Sequence, residues 1–185
     1  MPLPAPYPRE ILHSRAIQMD GYLRADGLVD IDLHMTDRKP DEVVFADGRC
    51  LAAGDLLHDM ALRLVVDQNL RIVDAIACID ASPYRVCPEA TEVVRDVIGF
   101  TIGPGWSAML KERFHGRKGC THLTELLRPV ATVAIQSLWR LRKGRAEPTD
   151  SGGRPQKIDS CYAYAASREV VKMRWPAHFR EDDTD

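Results

Sequence analysis

No stretch of this 185-residue chain approaches the roughly 18 consecutive apolar residues that a membrane-spanning helix needs, so a membrane partner is not expected. Its start, Met1-Pro2-Leu3-Pro4-Ala5-Pro6-Tyr7-Pro8, has neither the basic opening nor the apolar run of a secretory signal. Four prolines there point instead to an extended arm over residues 1–14. Charge of one sign is also lacking. With 25 Lys and Arg against 27 Asp and Glu, the net charge of −2 offers no broad attraction to nucleic acid. The chain has no Walker loop, no G-x-G-x-x-G, no G-x-S-x-G and no internal repeat. The tight C-x-x-C and H-x₃₋₅-H pairs of a zinc finger are missing too. Finally, there is no even set of cysteines. Five cannot all pair within one chain, and without an export signal they are expected in a reducing cytoplasm, where thiols serve metals or catalysis.

What is present reads as one soluble domain with an appendage. Hydrophobic residues make up 45%, enough for a core, and charged residues 28%. Val29, Ile31, Leu33 and Met35 alternate with Asp30, Asp32, His34 and Thr36, the period of a half-buried strand. Arg15 to Leu23 is its hairpin partner, with Asp26-Gly27 in the turn. A short Val43-Val44-Phe45 strand follows. The second hairpin sets Met60–Val66 against Leu70–Asp80, and the return strand is apolar on both faces, which predicts a central strand covered on both sides.

From residue 81 the pattern turns helical. Cys87 stands at a predicted N-cap with Pro88 at the first position, Val93, Val94, Val97 and Ile98 form the buried stripe, and Gly99 stops the helix. Trp106 to His115 is a short amphipathic helix. Cys120 opens a helix expected to reach about Lys143, with Pro129 inside it. The expected class is α+β: an antiparallel sheet of two hairpins covered by about three helices. The main domain spans 15–143, a Gly-, Ser- and Pro-rich flexible linker 144–157, and a segment packing back on the main domain 158–185, its end from Glu181 to Asp185 frayed.

Candidate chemistry gathers around Gly119-Cys120-Thr121-His122. Cys87 and Cys120 both precede predicted helices, whose unpaired amides favour the thiolate that nucleophiles and metal ligands share. The alternative for each is a small packing residue, as free cysteine often is. Cys161, in a polar and aromatic setting after the linker, is the third candidate. Cys78 and Cys50 read as structural. His122 is the best-placed histidine, although residues two apart do not share a helical face. Cys120 and His122 therefore meet at one ion only if Cys120 caps the helix with non-helical geometry. His58-Asp59, at a strand start, offers a further imidazole or carboxylate. Glu125 reads as a capping residue, and Arg140, Arg142, Lys143 and Arg145 as a solvated basic end.

The run from His58-Asp59-Met60 through Asp80-Ala81-Ser82-Pro83-Tyr84, Cys87-Pro88-Glu89-Ala90, Ile102-Gly103-Pro104-Gly105-Trp106, Gly119-Cys120-Thr121-His122-Leu123-Thr124-Glu125-Leu126 and Asp159-Ser160-Cys161 resembles a bacterial family of unknown function, number 2889. That resemblance covers about residues 15–176 and implies no activity. In layout the chain is also similar to iron–sulfur scaffolds of the NifU/IscU type. By that analogy Cys87, Cys120 and Cys161 are the thiols, with His122 or Asp59 beside them.

The leading expectation is a cytoplasmic metal-site protein holding zinc or an iron–sulfur cluster through Cys87, Cys120, Cys161 and His122 or His58, as a scaffold or a metal-dependent hydrolase. The first alternative is a metal-free hydrolase of acyl or thioester substrates, with Cys120 as nucleophile, His122 or His58 as base and Asp59 orienting it. The second is a non-catalytic interaction protein, its partner another protein or a second copy of itself.

Overall fold

A computed structural model of the chain describes residues 3–181, so Met1, Pro2 and the expected frayed end beyond Glu181 lie outside the described residues. The chain divides between Arg142 and Lys143 into two compact units. In the first unit, residues 3–13 form no regular element and are exposed. Strands β1 (Ser14–Leu23), β2 (Val29–Arg38), β5 (Leu56–Val66) and β6 (Ile72–Ala81) make an antiparallel sheet in the order β1-β2-β5-β6. The chain is α+β, as its residue patterns predict. Between β2 and β5, strands β3 (Val43–Val44) and β4 (Cys50–Leu51) pair as a small ladder of their own.

Alternation decides which face of the sheet is dry. Val29, Ile31, Leu33 and Met35 of β2 are buried, and so are Met60, Leu62 and Leu64 of β5. The register sets Met35 opposite Met60, Leu33 opposite Leu62 and Ile31 opposite Leu64, so the two central strands present one continuous apolar surface. Two helices, α1 (Trp106–Phe114) and α2 (Thr121–Leu138), supply the covering layer. Along α2 the buried residues are Leu123, Leu126, Leu127, Val130, Ala134 and Leu138, a stripe of helical period. Each Leu or Val of this stripe, fully removed from water, contributes about 1.5–3 kcal/mol. Trp106 joins the two helices by donating its buried indole N–H to the Leu127 carbonyl at 3.0 Å. Pro129 sits inside α2.

Three expectations change. Strand β6 is an edge strand of the sheet, not a central one, and its outward residues Val73 and Ile76 are 41% and 51% exposed. Its apolar outer face misled the pattern, because apolar composition on both faces does not by itself supply a second covering layer. Cys87 begins a 3₁₀ helix, Cys87–Val97, whose N-cap is Val86, so its thiol does not cap an α-helix. Helix α2 ends at Leu138 rather than near Lys143, and Trp139 to Gly144 continue as turns.

The first residue of β6 and the turn before it are tied to the segment after the 3₁₀ helix through the backbone. Ile72 N–H donates to Phe100, Gly99 N–H to Ile72 and Ile102 N–H to Leu70, at 2.8, 2.8 and 2.9 Å. Gly99 makes this return possible with φ of 89°, a conformation that side chains resist.

The second unit holds a hydrogen-bonded turn in which Asp150 accepts from the backbone of Gly152 and Arg154, a 3₁₀ turn at Tyr162–Tyr164, and α3 (Glu169–Arg174). Glu147 pairs with both Lys157 and Arg174.

One close approach tests the packing of β1 on α2. A Cβ added at Gly21 would lie 1.8 Å from Ser137 Oγ and 2.7 Å from Ser137 Cβ. Gly21→Ala is expected to cost about 1–3 kcal/mol by overpacking. Paired with Ser137→Gly, it should cost less than the sum of the two single changes when chemical denaturation is measured for all four proteins.

Candidate metal centre

One more step of the β2 alternation carries the inner face past Met35 to Asp37, and the inner face of β5 begins at His58. The two stand directly opposite each other in the β2–β5 ladder. A carboxylate and an imidazole thus occupy the last inward positions of a dry sheet face, where Asp37 is 1% and His58 7% exposed. A buried charge needs partners, and Asp37 has four contacts. Arg15 of β1 donates through Nε to Oδ1 and through Nη2 to Oδ2, both at 2.8 Å. His58 Nδ1 meets Oδ2 at 2.8 Å, and His13 Nε2 meets Oδ1 at 3.1 Å. Arg15 also donates through Nη1 to Glu125 of α2 at 2.8 Å, so one guanidinium links the edge strand, the central strand and the helix.

The start of α2 faces this pair. Cys120 is its N-cap, with φ −80° and ψ 128°, the extended geometry that lets residues two apart turn toward one point. His122, one position into the first turn, lies with its ring centroid 4.0 Å from that of His58, the planes tilted by 43°. Cys120 Sγ is 4.0 Å from His122 Nδ1. The Cys120 carbonyl accepts from both the backbone N–H and the hydroxyl of Thr124, at 2.9 and 2.8 Å, which holds the cap in place.

Electrostatics sets the proton states. Burial pushes the Asp37 carboxyl up, but hydrogen bonds and charge from Arg15, aided by His58, outweigh it and bring its pKa to about 2. Asp37 is therefore an anion that only accepts, so the proton on the His58–Asp37 bond belongs to His58 Nδ1. In the neutral ring Nε2 then keeps the lone pair. Burial lowers the pKa of His122, and the neighbouring His58 and Arg15 push the same way. A neutral imidazole is the form that ligates metals and accepts protons.

One donor atom each from Asp37, His58 and His122 lie within 4.8 Å of one another, the metal-type cluster found among the described residues. Three points no farther apart than 4.8 Å all lie within about 2.8 Å of a common centre, against about 2.0–2.2 Å for zinc bonds to nitrogen or oxygen. Closing that gap takes less than 1 Å of movement per side chain, on the order of a small torsional adjustment.

Of the residues singled out in the sequence, the structure brings His58, His122 and Cys120 together. Cys87, half-buried at the start of its 3₁₀ helix, is not in the cluster, and Cys161 is exposed in the second unit. Asp59 points to the other face of the sheet, where it pairs with His34 at 2.6 Å. Successive strand residues face opposite ways, so the carboxylate on His58 comes from across the ladder rather than from the next residue. Cys50 and Cys78 are exposed. Glu125 serves Arg15 and not the α2 cap, which has no side-chain hydrogen bond. Asp37, Arg15 and His13 were missed. The available signal was an acid at the fifth inward position of the Val29-Ile31-Leu33-Met35 series.

The family model described as "Protein of unknown function (DUF2889)" matches residues 13–136, a span holding every residue of this cluster. No curated protein and no solved structure matches the chain.

The Asp37 pKa is lower folded than unfolded, so the carboxylate stabilises the fold above pH ~4, and that contribution is lost as pH falls toward about 2. Asp37→Asn should flatten stability against pH across this acid window, and lower stability at pH 7 by about 1–3 kcal/mol. Urea denaturation at a series of pH values reads both.

Proposed function

Since the chain belongs to the family described as protein of unknown function (DUF2889), a description that names no activity, we propose from the geometry that it binds one divalent transition-metal ion at Asp37, His58 and His122. The observation that carries this reading is the convergence of their donor atoms within 4.8 Å on the buried end of the sheet. Two imidazoles and a carboxylate suit zinc or ferrous iron, and oxygen-seeking magnesium or calcium much less. The donor set also favours a single ion over an iron–sulfur cluster, which takes thiolates from about four cysteines. Such a centre can polarise a carbonyl or activate a bound water, which places hydrolysis first among its reaction classes.

The experiment is metal analysis of the full chain made without a histidine tag, as purified and after chelation and reloading with zinc or, under anaerobic conditions, ferrous iron. About one ion per chain is expected, falling to near zero in His58→Ala and His122→Ala variants whose circular dichroism matches the parent. A parent protein that holds neither ion after reloading overturns the reading.

A second reading is supported by the contact between Cys120 and His122. With Sγ at the mouth of an 18-residue helix and 4.0 Å from His122 Nδ1, Cys120 is a metal-free nucleophile whose base is backed by His58 and Asp37. Under that reading a thiol-directed acylating probe labels Cys120 at the same rate with and without chelator, and labelling vanishes in Cys120→Ala.

A further inference from the structure

The two edges of the sheet are finished differently. At the β6 edge, Ile72 exchanges backbone hydrogen bonds with Gly99 and Phe100, and Arg71 bridges to Thr101. At the β1 edge, no backbone group of Ser14–Leu23 makes a backbone hydrogen bond outside the β1–β2 ladder among the described residues. Open edges are ordinarily blunted by proline, lysine, a bulge or short length. Strand β1 has ten residues, neither proline nor lysine, and an unbroken register on β2. Its two charges are already engaged within the chain, Arg15 by Asp37 and Glu125 and Asp20 by Gln18.

Backbone chemistry makes the natural occupant of such an edge another extended chain. Two copies of β1 pair antiparallel about a two-fold axis normal to the sheet, and opposed residues must then face the same side. Centred on Met19, the two strands overlap from Arg15 to Leu23. Ile17, 46% exposed, then faces Gly21 of the second copy, and Tyr22, 53% exposed, faces Ala16, so each large side chain meets a small one. Gln18 faces Asp20 twice, an amide against a carboxylate, and no like charges are opposed. Moving the centre to Asp20 sets two carboxylates face to face, and moving it to Gln18 sets Asp20 against the methyl group of Ala16.

We propose that the protein forms a two-fold dimer in which β1 pairs antiparallel with β1 of a second copy, in the register centred on Met19, joining two four-stranded sheets into one of eight strands. Helix α2 runs along β1, from Glu125 at Arg15 to Ser137 at Gly21. A two-fold axis normal to the sheet keeps both helical layers on one side, so the two copies of α2 come to lie alongside each other above the seam. The pairing turns β1 from an edge into a central strand. It stands independently of the metal and cysteine readings, since it uses none of their side chains.

Sedimentation equilibrium of the full chain under reducing conditions tests this. The parent should sediment with twice the mass of one chain. Gln18→Asp opposes two carboxylates at both symmetric pairs and should weaken the dimer about 5–30-fold, whereas Gln18→Lys should tighten it. Ile17→Lys places a charge in the seam and should give a monomer. Both positions are exposed in the single chain, and circular dichroism matching the parent shows that each variant is folded. A parent that stays monomeric, whether its edge is free or taken by a strand of another protein, overturns the proposal. A dimer that folded Gln18→Asp and Ile17→Lys proteins both retain at parental strength is built on another surface and overturns it equally.

Discussion

A carboxylate that is 1% exposed at the end of an apolar sheet face has no water to solvate it, and everything around Asp37 is arranged to replace that water. Arg15 reaches it from β1, His58 from β5 and His13 from the segment before β1. Removing Arg15 would take away the partner that most favours the charged form of this carboxylate. The interaction therefore sets constraints in three directions: the register of β1 on β2, the register of β2 on β5, and, through Glu125, the position of the first turn of α2.

Those constraints build the site. The β2–β5 register makes Asp37 and His58 direct neighbours, and their hydrogen bond assigns the His58 proton to Nδ1. The helix start brings His122 to within 4.0 Å of His58, ring to ring, and sets Cys120 Sγ 4.0 Å from His122 Nδ1. Two imidazoles side by side repel when both are protonated. Burial together with the nearby positive groups keeps His122 toward its neutral form, in which it can ligate an ion or take a proton. The same electrostatic setting serves either the metal centre or the cysteine nucleophile, which is why both readings draw on Asp37, His58 and His122.

The opposite face of the sheet is chemically different. Asp32 and Arg63 form a two-point pair at 2.6 Å, and His34 meets Asp59 at 2.6 Å, all on solvated surface. Such exposed pairs contribute little to stability, about 0–1 kcal/mol each. They do satisfy the outward positions of the two central strands, and they show that a histidine–aspartate contact is not by itself a site. What distinguishes His58–Asp37 from His34–Asp59 is burial and a second imidazole, not the pair.

The amino-acid sequence by itself determined the class of the fold, because strand period and helix period are local properties. Alternation from Val29 to Met35, turn residues at Asp26-Gly27 and the apolar stripe from Leu123 to Leu138 need no tertiary information. It also marked Cys120, His122 and His58 as chemically notable. Tertiary structure alone decided which of them meet. Asp37 lies 21 residues from His58, and only strand pairing makes them neighbours, while adjacent Asp59 is sent to the far face by the pleat. The covering of β6 on one side, and the capture of Asp37 by an arginine 22 residues earlier, depend likewise on how strands order themselves in the sheet. That order is set by contacts between residues distant in the chain, and a periodic pattern carries no record of them.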